Sequence, residues 1–304
     1  MRFYAILKLN DCNKMLHSTS LWLELLYSFN PKPLNFSTLI FVFSLVSFTF
    51  AVMKTTMLIN PKYEELRQWL ETMPGKFCDE GCEIYNLRNV IKVMNAPGGL
   101  VLNVKRYHKP HFLNSLIYSL GLRKAKGRRA FDYPERLLSA GIDTPEPVAY
   151  IEQREAGLIG FSFFVSIHSH DCHTMYEVAN KSTAECASLM EALGGFTARL
   201  HDAEIEHLDY TPGNILWFVD ADGTFHFSLV DINRMRFGHV GMTEGCRNMK
   251  KMWGSRELIA IMVRSYARSR GFDEDACEKE IMQQRRSFWI HYKDKDKLPF
   301  KIDV

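Results

Sequence analysis

A strong charge imbalance is the first thing this 304-residue chain lacks: 38 Lys and Arg stand against 35 Asp and Glu, a formal net charge of +3. A surplus that small gives no ground for naming nucleic acid as a partner. Cysteine is thin as well. Cys12, Cys78, Cys82, Cys172, Cys186, Cys246 and Cys277 are odd in number and scattered, which excludes a dense secreted disulfide scaffold and fits a reducing, cytoplasmic compartment. Long hydrophobic runs are missing too, with one exception.

The exception is LNFSTLIFVFSLVSFTFAV, residues 34–52, uncharged and about the ~20 residues that cross a bilayer core as a helix. Asn35 and several Ser and Thr weaken it, and Pro31 and Pro33 precede it. Arg2, Lys8, Lys14 and Lys32 lie before the run, so the positive-inside rule would tend to export the chain beyond it. Two readings stay open for residues 1–52: a membrane segment, or an upstream extension with Met53 as the effective start, where the composition turns ordinary.

A chain of this length is comfortable as two units. Periodicity predicts a helix over 63–72, with Leu66, Trp69 and Leu70 on one face and Pro74 and Gly75 as its stop. Extended segments come next at 76–81, 89–94 and 100–107, the last two parted by the turn Asn95-Ala96-Pro97-Gly98-Gly99. A basic helical region over 122–140 ends at Gly141, and extended runs continue through GIDTPEPVAYIE and 158–167. Beyond Tyr176 helices dominate, at 184–201, 256–270 and 278–292, around a β interlude at 215–230. The expectation is an α+β protein, β-rich first and helical second.

The segment that carries chemistry is His207-Leu208-Asp209-Tyr210-Thr211-Pro212-Gly213-Asn214, then ILWFV, the turn Asp220-Ala221-Asp222-Gly223, and TFHFSLV leading into Asp231. Phosphoryl transfer needs a carboxylate at the incoming hydroxyl and hard oxygen ligands for the magnesium on the nucleotide phosphates. Asp209, Asn214 and Asp231 offer both, and the hairpin should return Asp231 to the side of Asn214. A lone loop Asp is ordinarily a turn or cap, but three polar residues interrupting strongly apolar strands together argue for a site. Asp220 and Asp222 lack the later acidic ligands of a calcium loop and read as a hairpin turn. His168, His170, Asp171, Cys172 and His173 offer metal-ligand chemistry, yet contiguous ligands rarely wrap one ion, so the run reads as a polar loop.

The strand VLNVKRYH with Lys105, together with HLDYTPGNIL and LVDINRMRFG, resembles the lipopolysaccharide kinase (Kdo/WaaP) family of the protein-kinase-like superfamily, from about residue 60 to 289. The resemblance implies a two-lobed protein-kinase-like fold: a small antiparallel β N-lobe with one main helix over 53–165, a mainly helical C-lobe over 166–292, and a charged tail at 293–304. It implies that Lys105 holds the α- and β-phosphates of ATP, that His207 braces the catalytic loop, that Asp209 is the catalytic base, and that Asn214 and Asp231 bind Mg2+. Asp231-Ile232-Asn233 stands where related kinases have Asp-Phe-Gly, which puts a loop flip there in doubt. The partner of Lys105 falls at Asp132, with Glu135 as the alternative. The phosphate-covering loop falls in DEGCEIYNLRN, with Gly81 in place of a glycine-rich run, and the crossing that receives adenine falls at Ser166-Ile167-His168-Ser169.

The implied acceptor is an acidic, lipid-linked sugar of the lipopolysaccharide inner core, at the cytoplasmic face of a membrane. Arg123, Lys124, Lys126, Arg128 and Arg129, or Arg234 and Arg236, would suit an acidic acceptor, although such runs are usually solvated faces. Two other readings stay open: a kinase for a protein or a soluble small molecule, and a non-catalytic pseudokinase that binds partners.

Overall fold

The computed structural model describes residues 54–169, 172–292 and 298. They form two compact units. One holds the described residues up to Arg123 together with Ile151–Phe163; the other holds Lys124–Tyr150 and the residues from Phe164 on. The division is therefore not a single cut at 165.

The first unit opens with β1 (Lys54–Ile59), a 3-10 segment Pro61–Leu66 whose cap Asn60 accepts from Lys62 N–H, and α1 (Arg67–Lys76). Pro74 lies inside α1 and does not stop it. A proline in the last turn removes one N–H, and burial of Met73 and Phe77 carries the helix past it. Then come β2 (Cys82–Asn86), β3 (Val90–Asn95), β4 (Val101–Tyr107) and α2 (Phe112–Ser119). Residues 77–81, expected to be extended, form a turn instead. Lys92 explains it, since its buried ammonium donates to the carbonyls of Cys78 and Glu80 at 3.0 Å each and folds that segment back.

The chain then leaves for the second unit through α3 (Lys126–Asp132) and α4 (Pro134–Ser139). It returns with β5 (Pro147–Glu155) and β6 (Leu158–Ile167), which complete a six-stranded sheet of order β1-β5-β6-β4-β3-β2. The β2–β3 and β3–β4 pairs are antiparallel, and Ile91 faces Lys105 across the latter. The basic region read as one helix is thus two short ones, split where Pro134 opens α4. Leu137 and Ile142 are buried in the helical unit's core, which is why residues 124–150 belong there.

The rest of the second unit runs β7 (His173–Thr174), α5 (Thr183–Asp202), β8 (Ile205–His207), β9 (Ile215–Val219), β10 (Phe225–Leu229), β11 (Met235–Phe237), α6 (Met242–Met249), α7 (Arg256–Arg270) and α8 (Glu274–Ile290). Ser182 and Glu185 form a capping box at the start of α5. From α5, Leu189, Leu193, Phe196 and Leu200 pack with Ile259, Met262 and Tyr266 of α7 and Ile281 of α8 in one apolar core. The β10-β9-β7 sheet and the β11–β8 pair lie between helices along the chain. Among the described residues no helix is long and apolar enough to cross a membrane; residues 34–52 lie outside the described residues.

Candidate active site

The site begins where β8 ends. His207 pairs with Met235 of β11, and its buried ring is fixed from both sides: Nδ1 accepts from Asp209 N–H at 3.1 Å, so Nε2–H donates to Val230 O at 3.0 Å. Burial pushes its pKa below the ordinary histidine value, which keeps the ring in the neutral form that this pattern requires. Asn214 Nδ2 donates to Asp209 O at 2.9 Å, closing the loop across five residues. Within the loop Gly213 lies against Tyr176, so close that a Cβ would sit 2.6 Å from the ring. A side chain there would have to displace the Tyr176 ring. Tyr176 is itself packed on Trp253 with ring centroids 4.5 Å apart.

The β9–β10 hairpin then returns the chain, pairing Ile215 with Leu229 at its base. Val230 N–H donates to Asn214 O at 3.0 Å, so the Val230 residue is held by Asn214 through its N–H and by His207 through its carbonyl. That joint sets Asp231 beside the loop. The structure brings Asp209, Asn214 and Asp231 together, as their spacing predicts. Asp231 has φ 54°, a left-handed conformation uncommon outside glycine and concentrated at functional positions, and Asn233 Nδ2 donates to one of its carboxylate oxygens. The other carboxylate oxygen of Asp231 and the Oδ1 of Asn214 are hard oxygen donors of the kind magnesium takes.

Two features escape the sequence. Lys251, just past α6, donates to Asp209 Oδ1 at 3.1 Å; 42 positions along the chain separate the two, and nothing near Lys251 marks it. Behind the loop lies a buried relay: Arg270 donates to Tyr266 OH (2.8 Å), Tyr266 OH donates to His201 Nδ1 (3.0 Å), His201 Nε2 to Asn248 Oδ1 (3.2 Å), and Asn248 Nδ2 to His207 O (2.9 Å). Burial holds the His201 pKa down at about 4. The relay ties α7 to the backbone of the 207–214 loop.

The other predicted residues fall in several places. Lys105 is buried on β4, its ammonium 5.3 Å from the Tyr107 ring centroid. Gly81 falls outside the β2–β3 connection, which is Leu87, Arg88 and Asn89. It sits at the head of β2 with φ 83°, where a Cβ would meet Met94 at 2.7 Å and Val93 O at 2.9 Å. Close backbone approach accounts for Gly81, and the loop between those strands has no glycine. Ser166 is buried near the end of β6. Asp132 pairs with Lys124 at 2.7 Å and Arg128 at 2.8 Å, and Glu135 is exposed in the first turn of α4.

Asp220 and Asp222 form the expected turn, accepting from Thr224 N–H at 3.0 and 2.9 Å. Of the His/Cys run, His170 and Asp171 lie outside the described residues, while His173 bonds Glu177 and stacks on Trp217. Among the described residues no three potential ligands cluster for a metal ion. Arg236 is engaged by Glu206 and by the carbonyl of His239.

An antiparallel sheet bearing a buried strand lysine, and a helical unit bearing a His-x-Asp-x4-Asn loop tied to an Asp after a hairpin, define a phosphotransferase of protein-kinase-like fold. The chain belongs to the lipopolysaccharide kinase (Kdo/WaaP) family, whose sequence profile matches residues 85–268, more than half its length. Among solved structures it is similar to WaaP in complex with acyl carrier protein, at 17% identity and TM-score 0.50, covering 77% of this chain and 99% of that one. It is also similar to the Rio2 kinase–ADP/Mg2+–phosphoaspartate complex from Chaetomium thermophilum (16% identity, TM-score 0.44, covering 84% of this chain and 81% of that one). A third is the amicoumacin kinase hAmiN in complex with AMP-PNP, Ca2+ and Ami (11% identity, TM-score 0.48, covering 74% and 86%). No curated protein matches the chain.

Proposed function

We propose that this kinase transfers the γ-phosphoryl group of ATP to a hydroxyl on an acidic, lipid-linked sugar of the lipopolysaccharide inner core, working at a membrane surface. The observation that carries the catalytic part is the closed set of hydrogen bonds joining His207, Asp209, Asn214 and Val230. It fixes the Asp209 backbone at two points and leaves its carboxylate to the Lys251 ammonium and the acceptor. The family supports the acceptor class.

In this reading Asp209 orients the acceptor hydroxyl and takes its proton as the oxygen attacks, and Lys251 holds that carboxylate in place. Asn214 Oδ1 and Asp231 would hold Mg2+, which when bound offsets charge on the phosphates. Lys105 contributes a cation toward the α- and β-phosphates. The neutral His207 donates and accepts without changing protonation, so the loop keeps one geometry through the cycle.

Radiolabelled ATP supplied with purified lipopolysaccharide inner-core acceptor, and in parallel with soluble sugars and proteins, tests the reading. Transfer to the lipid-linked sugar above all others is expected. Transfer confined to a soluble small molecule or a protein would overturn the acceptor, and absence of transfer to any of them would favour a binding role.

A further inference from the structure

Past α6, Met252 and Gly254 are buried while Lys251 and Trp253 are half-buried, and one side chain accounts for the alternation. Arg285 of α8, fully buried, donates to the carbonyls of Lys250, Met252 and Gly254, so its guanidinium fork pins the segment 250–254 from inside. The side chains between the pinned carbonyls go to the 207–214 loop. Lys251 reaches Asp209 Oδ1 at 3.1 Å. Trp253 packs on Tyr176 with ring centroids 4.5 Å apart and planes at 50°, and the Tyr176 ring lies against Gly213. Tyr176 is nevertheless 45% exposed. An aromatic pair with an open surface is thus held rigidly against the loop that carries Asp209.

Cations accompany the rings. Arg247 stands exposed in the last turn of α6, and Lys250 follows it. Burial, and then the neighbouring charges of Lys251 and Arg247, push the Lys250 pKa below the ordinary lysine value, so three cations repel one another at this spot. An anion relieves that repulsion. We propose that Tyr176 and Trp253 form the acceptor platform of this kinase: the C–H face of an acidic sugar lies on the two rings, its carboxylate or phosphate meets Arg247 and Lys250, and its hydroxyl turns to Asp209. A sugar ring is apolar on its C–H face and polar at its rim, and Tyr and Trp match it with an apolar face and a polar tip. Lys251 is engaged by Asp209, which assigns the acid group to the other two cations.

The platform deepens the proposed function and rests on it for the acceptor class. The full chain is to be titrated in a calorimeter with deacylated inner-core oligosaccharide of lipopolysaccharide, with the same oligosaccharide after its phosphates are removed, and with maltotriose as a neutral sugar. The wild type should bind the first far more tightly than the last. Arg247→Gln/Lys250→Gln and Trp253→Leu should each weaken oligosaccharide binding, and raise the KM for the acceptor in phosphoryl transfer, roughly tenfold or more. MgATP affinity should stay at the wild-type value in both and guards against an unfolded variant; should Trp253→Leu lose it, the charge variant, which disturbs no packed ring, decides alone. Binding kept after dephosphorylation identifies a carboxylate as the bound acid, and binding lost identifies a phosphate.

Folded variants that bind the oligosaccharide like the wild type would overturn the proposal, as would a wild type that fails to bind it or takes maltotriose equally well. Transfer to the lipid-linked acceptor with its KM unmoved in the variants would sink the platform and leave the acceptor reading standing. Oligosaccharide binding lost in the variants, while even the wild type phosphorylates no lipid-linked sugar, would support the platform and sink the acceptor reading.

Discussion

Around His201 and His207 polar side chains are buried and each ring nitrogen has a partner, whereas along α2 apolar side chains stand exposed and two serines take the inside. Both regions break the ordinary rule of apolar in and polar out. In the first, desolvation is offset by hydrogen bonds made within the chain, and the product is a loop, the proposed catalytic one, held to one shape. In the second, the apolar arc stands exposed among the described residues.

The largest expected effect is at the catalytic end of the buried region. Asp209→Asn should lower phosphoryl transfer by roughly 10²-fold or more, the scale of a lost general base, with MgATP affinity in calorimetry nearly unchanged. Asp231→Asn should weaken MgATP as well, and Lys251→Met, which removes only a partly exposed ion pair, should cost about fivefold at most. Equal damage to MgATP binding from Asp209→Asn and Asp231→Asn, with turnover at saturating ATP preserved, would assign the base elsewhere.

Acid should break the same region while sparing α2. The His201 pKa is held at about 4 in the folded chain against 6.5 unfolded. Between those values the unfolded chain binds more protons, so the contribution is complete above pH 6.5 and is lost as pH falls toward 4. The loss amounts to about 3 kcal/mol at pH 4, and His207, depressed by the same cause, acts in the same direction. Urea titrations at neutral pH and at pH 4 measure it. A midpoint that does not move would mean that the relay is not a source of stability.

At the small end of the scale, L113Q/L120Q should leave stability within about 0.5 kcal/mol of the wild type, as for substitutions away from packed contacts. A drop of several degrees in the melting temperature would show that these leucines belong to the fold after all, and the contrast between the two regions would close.

Much of the molecule is legible in the sequence because it depends on short range. The alternation in VLNVKRY predicts β4, and the two apolar runs around Asp220-Ala221-Asp222-Gly223 predict the β9–β10 hairpin, whose geometry in turn brings Asp231 to Asn214. The hidden remainder depends on distant partners or on rules inverted. Pro74 stays helical because Met73 and Phe77 are buried beside it, and residues 77–81 are turned by Lys92. Gly81 reads as part of the phosphate loop because the start of β2 is invisible without β3 beside it. Lys251 finds Asp209 only through the packing of α6. Helix α2 has no polar outer face, so its periodicity gives no ordinary amphipathic signature.

The base of the β9–β10 hairpin is closed three times over, by Ile215 with Leu229, by Val230 with Asn214, and by Leu229 N–H with Asp143 O. The tip, by contrast, is exposed from Ala221 to Thr224, and the hydrogen bonds of Asp222 and Thr224 stay within the turn. The hairpin therefore offers a handle: a peptide tag or a new pair of termini between Ala221 and Asp222 would leave Asn214 and Asp231 in register, letting the enzyme be labelled or split within a few residues of its own chemistry.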